Sequence, residues 1–395
     1  MNTANQPIVD NSPDEEPSDE LLEDEDKSGT DLTTKPWDPK DIRITTKTFT
    51  LREIYTQILE DDLDLAPDFQ RSFVWKNGQQ VRLIESILLG IPLPAFYFNQ
   101  DKSGSHQVID GVQRLTTLKH FMSNELELKG ESLEYLVALK GQTFGTLDPA
   151  TRRRFAGTQI VAHVIEPQTP DEVKYDIFNR VNTGGSPLTA QEIRHCMSKD
   201  RSRNFLRELV ESQNFDKVMG KIFWKKDSTG QWNRDNQRMS DREMALRFCA
   251  FRKFRIEEYA TASSLDAFLL HFTRLIDQQT EQFLSDSDLS DLSTSFRKAM
   301  ENCYAIMGRG AFRLWPPNAS RRGPFNRAIF ESQALALADH ELSELLPFKD
   351  EIQEAFRKLF LDPAYDSAVR VGTGSHLKVA RRLKMPREVL SGILP

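Results

Sequence analysis

The stretch Gln107–Met122, QVIDGVQRLTTLKHFM, constrains this chain more than any other. Val108 and Ile109 read as the end of a short strand, Asp110-Gly111 as a sharp turn, and Leu115, Leu118, Phe121 and Met122 recur at helical spacing. Glycine lets backbone or ligand approach closely. The first N–H groups of a helix have no partner within it, and Arg114 adds a fork of donors in the first turn. A strand, a glycine turn and a helix start in this order can hold a phosphate.

Composition decides what can surround such a junction. A chain of 395 residues has room for two domains with their own cores. Its 38% hydrophobic and 28% charged content suits a soluble globular protein. No apolar run approaches a membrane span, and the N-terminal MNTANQPIVDNSPDEEP lacks the basic and apolar regions of a secretory signal. Cys196, Cys249 and Cys303 are far apart and form no CxxC pair, which argues against a zinc site or a disulfide framework and for a reducing cytoplasm. The formal charge of -7 is misleading. Residues 1–31 hold eleven Asp and Glu against the single Lys27, so the remainder carries +3. Mild basicity permits nucleic-acid contact without arguing for it.

Taken in order, residues 1–41 form an acidic, polar tail expected to be disordered. The plain reading is a solubilising tail; the sharper one is a nucleic-acid mimic that fills a basic groove in cis. Ile44 to Ile58 predicts a strand running into a helix. Leu65–Trp75, LAPDFQRSFVW, reads as a loop or bent strand in which Gln70 and Arg71 sit between Phe69, Phe73 and Trp75. Val81 to Leu88 predicts a helix closed by Gly90, and Ala95–Phe98 and His106–Ile109 predict strands around a polar hairpin. Leu126–Leu147 reads as short strands or turns, Arg152–Arg154 as a helix start, Ile160–Ile165 as a strand of the same sheet, and Asp171–Val181 as a helix. Thr189 with Glu192 is a capping-box pattern. From about Ala190 the periodicity is helical, with Asp227–Gln237 read as a loop and Ser285–Ser295 as a loop or a capped helix start. No internal repeat is evident.

Each chemical reading has a plainer rival. Asp110 suits a magnesium ion or a positioned water, yet Asp110 followed by Gln113 is also a capping-box pattern. Arg114 suits a phosphate, though most arginines simply lie at the surface. Gln70-Arg71 and Gln113-Arg114 are two amide–guanidinium pairs that together suit a polyphosphate and a base edge. Asn182-Thr183-Gly184-Gly185 reads first as a helix stop, although Asn179, Arg180 and Asn182 crowd one place. The GxxxxGK[ST], GxSxG and HExxH patterns do not occur. A PD-(D/E)xK match can be forced through Glu172–Lys174, which falls in a helix. Asp339-His340 lacks the surroundings of an HNH nuclease, and the basic runs, Lys225-Lys226 among them, are solvated faces by default.

Four ordered blocks carry a resemblance: PDFQRSFVW, IESILLGIPLPAFYF, VIDGVQRLTTL and IFNRVNTGGSPLTAQEIR. Together they resemble the GmrSD-type N-terminal domain family of the ParB/sulfiredoxin-like superfamily, over about residues 45–200. Weaker similarity continues through FNRAIFES and GTGSHLKVARRL. The resemblance implies an α+β protein, with a ParB-like mixed-sheet domain over residues 42–190 and an all-helical domain over 191–395. It implies a module that binds and hydrolyses a nucleoside triphosphate with Mg2+, in bacterial defence against phage or modified DNA. The family turn is often D-G-Q-Q-R; here Val112 replaces the first glutamine. The matching positions imply Asp110, Gln113 and Arg114 as catalytic residues. Gln70, Arg71, Gly111, Arg114, Asn182 and Gly184 are implied as nucleotide contacts, and Asp110 as the metal ligand. Many members carry an HNH nuclease domain, for which this chain shows no motif. The rival function is therefore a non-catalytic DNA-binding or adaptor subunit working with a separate nuclease, and a third is DNA nicking by the ParB-like domain itself.

Overall fold

A computed structural model describes residues 38–65, 75–101, 103–129, 132–181, 188–227, 229–235 and 238–395. The chain divides into two units at Met197 and Ser198. The tail predicted for residues 1–41 lies almost wholly outside the described residues, which begin at Asp38.

The first unit is built on a five-stranded mixed sheet. Strands β1 (Ile44–Thr50), β2 (Leu63–Asp64), β3 (Phe96–Gln100), β4 (His106–Asp110) and β5 (Gln159–Ile165) take the order β1-β5-β3-β4-β2. The β1–β5 and β3–β4 pairs are antiparallel, while β3–β5 and β2–β4 are parallel. The helices are α1 (Leu51–Leu59), α2 (Asn77–Leu88), α3 (Val112–Met122), α4 (Pro149–Ala156), α5 (Asp171–Val181) and α6 (Ala190–Cys196). One sheet face, with Phe96, Phe98, Val108, Ile160, Ala162 and Val164, packs on Ile54, Ile84, Leu115, Phe121 and Phe155 of α1–α4. Strand alternation puts every second residue on that face, which is why these apolar positions recur two apart.

Local chemistry sets the boundaries. Thr50 caps α1 through a reciprocal capping box with Glu53, and Thr189 does the same for α6 with Glu192, as the spacing predicts. Gly90, at φ 81°, follows α2 as expected. The segment 126–147 contains two 3-10 turns and no strand among its described residues. Its anchor is Glu85 of α2, 4% exposed, whose carboxylate accepts N–H bonds from Glu134 (3.0 Å), Tyr135 (2.8 Å) and Leu136 (2.8 Å).

The second unit is helical, as the periodicity predicts. It contains α7 (Asp200–Val210), α8 (Gln213–Met219), α9 (Ser240–Lys253), α10 (Ile256–Thr261), α11 (Leu265–Ile276), α12 (Asp286–Met307), α13 (Arg327–Leu337), α14 (Leu342–Leu345), α15 (Lys349–Lys358), α16 (Pro363–Arg370) and α17 (His376–Ile393). Ser285 caps α12, which resolves that segment as a capped helix start. One element departs from the helical reading. β6 (Trp224–Lys226) and β7 (Trp232–Arg234) form an antiparallel ribbon across part of the predicted loop. Three-residue strands carry too little alternation for their period to show.

Two sequence blocks about fifty residues apart meet inside this unit. Glu331 of α13 and Arg382 of α17 are both fully buried and paired, with Arg382 Nε 2.8 Å from Glu331 Oε2. Arg247 of α9 binds the other oxygen of Glu331 at 3.0 Å and reaches Glu243 at 2.6 Å. Ser332 Oγ lies 2.8 Å from Tyr365 of α16 and donates to the Arg382 carbonyl at 2.8 Å. Buried charges persist only when paired and hydrogen-bonded, so FNRAIFES and GTGSHLKVARRL are two halves of one internal network. Cys196, Cys249 and Cys303 are buried and not joined in disulfides. Among the described residues no helix is long and apolar enough to cross a membrane.

Candidate functional site

Gly111 fixes the geometry of the turn. It is buried in the left-handed region at φ 101°, and a Cβ there would stand 2.3 Å from the Phe96 ring. Both the dihedral and the space demand glycine. Gly111 is also the N-cap of α3, and no side chain caps that helix. This overturns the capping-box reading of Asp110 with Gln113. Asp110 lies one residue too early, and its carboxylate is engaged elsewhere.

That partner is Arg114, one helical turn on. Arg114 Nη2 lies 2.9 Å from Asp110 Oδ2. The guanidinium also donates to the carbonyls of Pro94 and Ala95, the latter at 3.2 Å, and stacks 4.2 Å over the Phe96 ring. Burial lowers the pKa of this arginine from its ordinary value and the Asp110 carboxylate pulls it back up; it stays charged at neutral pH. Arg114 therefore staples the start of β3 to the turn and orients Asp110. Asp110 keeps a third of its side-chain surface exposed, 33% against 13% for Arg114.

A β-bulge sets the direction of Asp110. The β3–β4 register pairs Phe98 with Val108, then shifts so that Tyr97 faces Asp110 rather than Ile109. Bulges re-aim side chains and are frequent beside active sites. Tyr97 also pairs with His163 of β5, and His163 with Thr46 of β1. A register row Thr46–His163–Tyr97–Asp110 thus crosses four strands; Tyr97 and His163 alternate with the core residues Phe96, Phe98, Ala162 and Val164 and so lie on the opposite face. No residue-level pattern announces such a row, because it depends on strand order and on the bulge.

Gln113 has an unmet need. Its Oε1 is buried and makes no hydrogen bond, in the first turn of a helix whose N-terminus no side chain caps. Buried polar atoms are nearly always paired, so an orphan points to a water or a ligand. Asn99 Oδ1, two residues along β3 from Tyr97 on the same face, is in the same state.

α6 packs against β4 and adds residues that the sequence analysis passed over. Arg194 is fully buried, and its Nε donates to Gln191 Oε1, also buried, at 2.8 Å. Gln191–His195 holds one apolar side chain, Ile193, yet is wholly buried, a fact that its polar composition conceals. Of the expected site residues, Asp110, Gly111, Gln113 and Arg114 stand together. Gln70, Arg71, Asn182 and Gly184 lie outside the described residues. No group of three or more His, Cys, Asp or Glu suited to a metal occurs among the described residues. A Mg2+ ion carried by a polyphosphate needs only one or two carboxylates, and Asp110 meets that requirement.

Residues 51–199 match the family model described as GmrSD restriction endonuclease, N-terminal domain. No curated protein and no protein of known structure matches the chain.

Proposed function

With residues 51–199 belonging to the GmrSD restriction endonuclease N-terminal domain family, and the chain thereby a restriction-system component, we propose that the Asp110 turn binds and hydrolyses a nucleoside triphosphate. The observation that carries this reading is the uncapped start of α3 over a glycine that admits no side chain, beside the orphaned Gln113 Oε1. Free backbone N–H groups and the helix dipole attract phosphate oxygens. Arg114 adds fixed positive charge beneath the turn and holds Asp110 in place as a positioning residue. Gln113 accepts from an attacking water or a ribose hydroxyl. Gln70, Arg71, Asn182 and Gly184 are the further contacts proposed from the matching blocks. Asp110 would hold Mg2+, which when bound neutralises phosphate charge and polarises the transferred group. Hydrolysis of this kind rests on positioning and on stabilising developing charge.

The test is phosphate release from each common nucleoside triphosphate by the purified chain, by Asp110→Asn and by Arg114→Ala. The expected result is release by the unaltered protein and a loss of about 100-fold or more in both variants, the range of a removed catalytic contact. Equal release by all three proteins rejects the Asp110 turn as the hydrolytic site, and release by none rejects hydrolysis.

One observation favours the second reading, DNA contact with cleavage by a separate nuclease. At the β6–β7 ribbon the amines of Lys221, just before β6, and of Lys226 lie 5.3 and 5.1 Å from the centre of the Trp232 ring, and Lys225 and Lys226 are exposed. Lysines around a ring that can stack on a base suit a nucleic-acid strand. A gel-shift salt series decides it. DNA affinity that falls steeply with salt, and less steeply after Lys225→Ala and Lys226→Ala, supports the contact; no retardation at low salt rejects it.

A further inference from the structure

We propose that Tyr97 and His163 form the base platform of the same nucleotide, with Asn99 reading the base edge. The inference rests on the nucleotide reading of the Asp110 turn and goes beyond it by assigning a base subsite. Four observations converge on it. Register places Tyr97 directly beside Asp110 on one side and beside His163 on the other. The two rings form a partly buried pair with centroids 5.0 Å apart and planes tilted by 47°. Thr46 Oγ1 lies 3.0 Å from His163 Nδ1, which fixes the orientation of the imidazole and leaves its other nitrogen unused by that bond. Asn99 Oδ1 sits on this same face, buried and without a hydrogen bond, one row from Tyr97 and paired across the sheet with the buried Ile165.

The spacing suits the ligand. Neighbouring strands are about 4.8 Å apart, so His163 lies about 10 Å from Asp110 across the sheet. Phosphates held at Gly111 and Gln113 put the ribose over the β4–β3 step and the base over Tyr97 and His163. Aromatic rings accept any base face, and stacking is worth a tenfold or larger change in affinity per base, in order of magnitude. Selection among bases then falls to hydrogen bonding. An amide beside the platform has a donor and an acceptor to offer, and the unmet Asn99 oxygen is the atom most in need of a partner. An orphan acceptor pairs with the exocyclic amine of adenine, cytosine or guanine, which uracil lacks.

Inorganic tripolyphosphate separates the base from the phosphates. Binding of tripolyphosphate and of the four common ribonucleoside triphosphates is measured calorimetrically with Mg2+ on the full chain. The expected result is that Tyr97→Ala and His163→Ala each weaken nucleoside triphosphate binding about tenfold or more, while tripolyphosphate affinity changes by about twofold or less. Tyr97→Phe keeps the ring and should bind nucleotide nearly as tightly as the unaltered protein. Asn99→Leu should flatten the preference among the four nucleotides. Nucleotide affinity untouched by the ring variants, or equal weakening of both ligands, overturns the platform while the phosphate site stands. If neither ligand binds the unaltered protein, the nucleotide reading falls and the platform falls with it. Gly111→Ala, which should lose both ligands, marks what damage to the phosphate site looks like.

Discussion

Two arginine–carboxylate assemblies in this chain use the same chemistry for different ends. Around Glu331 both oxygens are taken, by Arg247 and Arg382, and the glutamate is fully buried with its partners at most 3% exposed. Around Asp110 a single arginine takes one oxygen, a third of the carboxylate surface stays exposed, and an uncapped helix start and an orphaned amide oxygen stand beside it. A saturated network holds elements together. A half-used one, set on a left-handed glycine beside a register shift, keeps hydrogen-bonding capacity unfilled. The difference separates a pair whose hydrogen-bonding capacity is filled from one that leaves capacity unfilled beside it.

The largest effect expected of any single change lies at the saturated end. Glu331→Ala leaves Arg247 and Arg382 buried without their shared partner, and should cost about 3–5 kcal/mol in chemical denaturation. A loss under about 1 kcal/mol would show that the network is not a keystone. Gly111→Ala comes next, at about 3 kcal/mol, because a left-handed alanine is strained and its methyl meets the Phe96 ring. A crystal structure of this variant with Phe96 unmoved would contradict the turn described here.

Glu85 is intermediate. Burial works against its charge, but the N–H groups of Leu136, Glu134 and Tyr135 outweigh it and hold the carboxyl below its ordinary pKa. A depressed folded pKa gives stability that is fully present above the unfolded value, about 4.3, and is lost as pH falls through the folded pKa. Glu85→Ala should cost about 2 kcal/mol at pH 7, from several unmade hydrogen bonds. Its deficit against the unaltered protein should shrink below about pH 4, as followed by thermal melting across pH. A deficit independent of pH would assign the loss to packing instead. The smallest effect on stability is expected at the half-used pair. Asp110→Asn should change stability by less than about 1 kcal/mol, since the carboxylate is partly solvated, yet should remove nucleotide binding. Near-neutral stability with lost binding is the sharpest form of the contrast with Glu331.

How legible these regions were differs for physical reasons. The strand–Gly–helix junction, the α5 limits and the Thr189–Glu192 cap follow from patterns carried within a dozen residues, and the structure reproduces them. The family match over residues 51–199 was legible from four blocks in order. What was misread depends on distant pairing. Asp110 looks like a capping residue in one dimension, because only the folded turn gives its carboxylate to Arg114, and only strand pairing brings Pro94 and Ala95 to that arginine. The His163 row needs the β1-β5-β3-β4 order. The Trp224–Arg234 ribbon is too short for its period to compete with its polar composition.

The central claim is that the Asp110 turn is a nucleotide site, and nucleotide-induced thermal stabilisation of the full chain tests it most directly. A ligand that binds only the folded state raises the melting temperature in proportion to its occupancy. At least one of the four ribonucleoside triphosphates with Mg2+ is expected to raise the melting temperature of the unaltered protein, while Asp110→Asn, melting at nearly the same temperature without ligand, shows no such rise. No rise with any nucleotide, or an equal rise in both proteins, contradicts it.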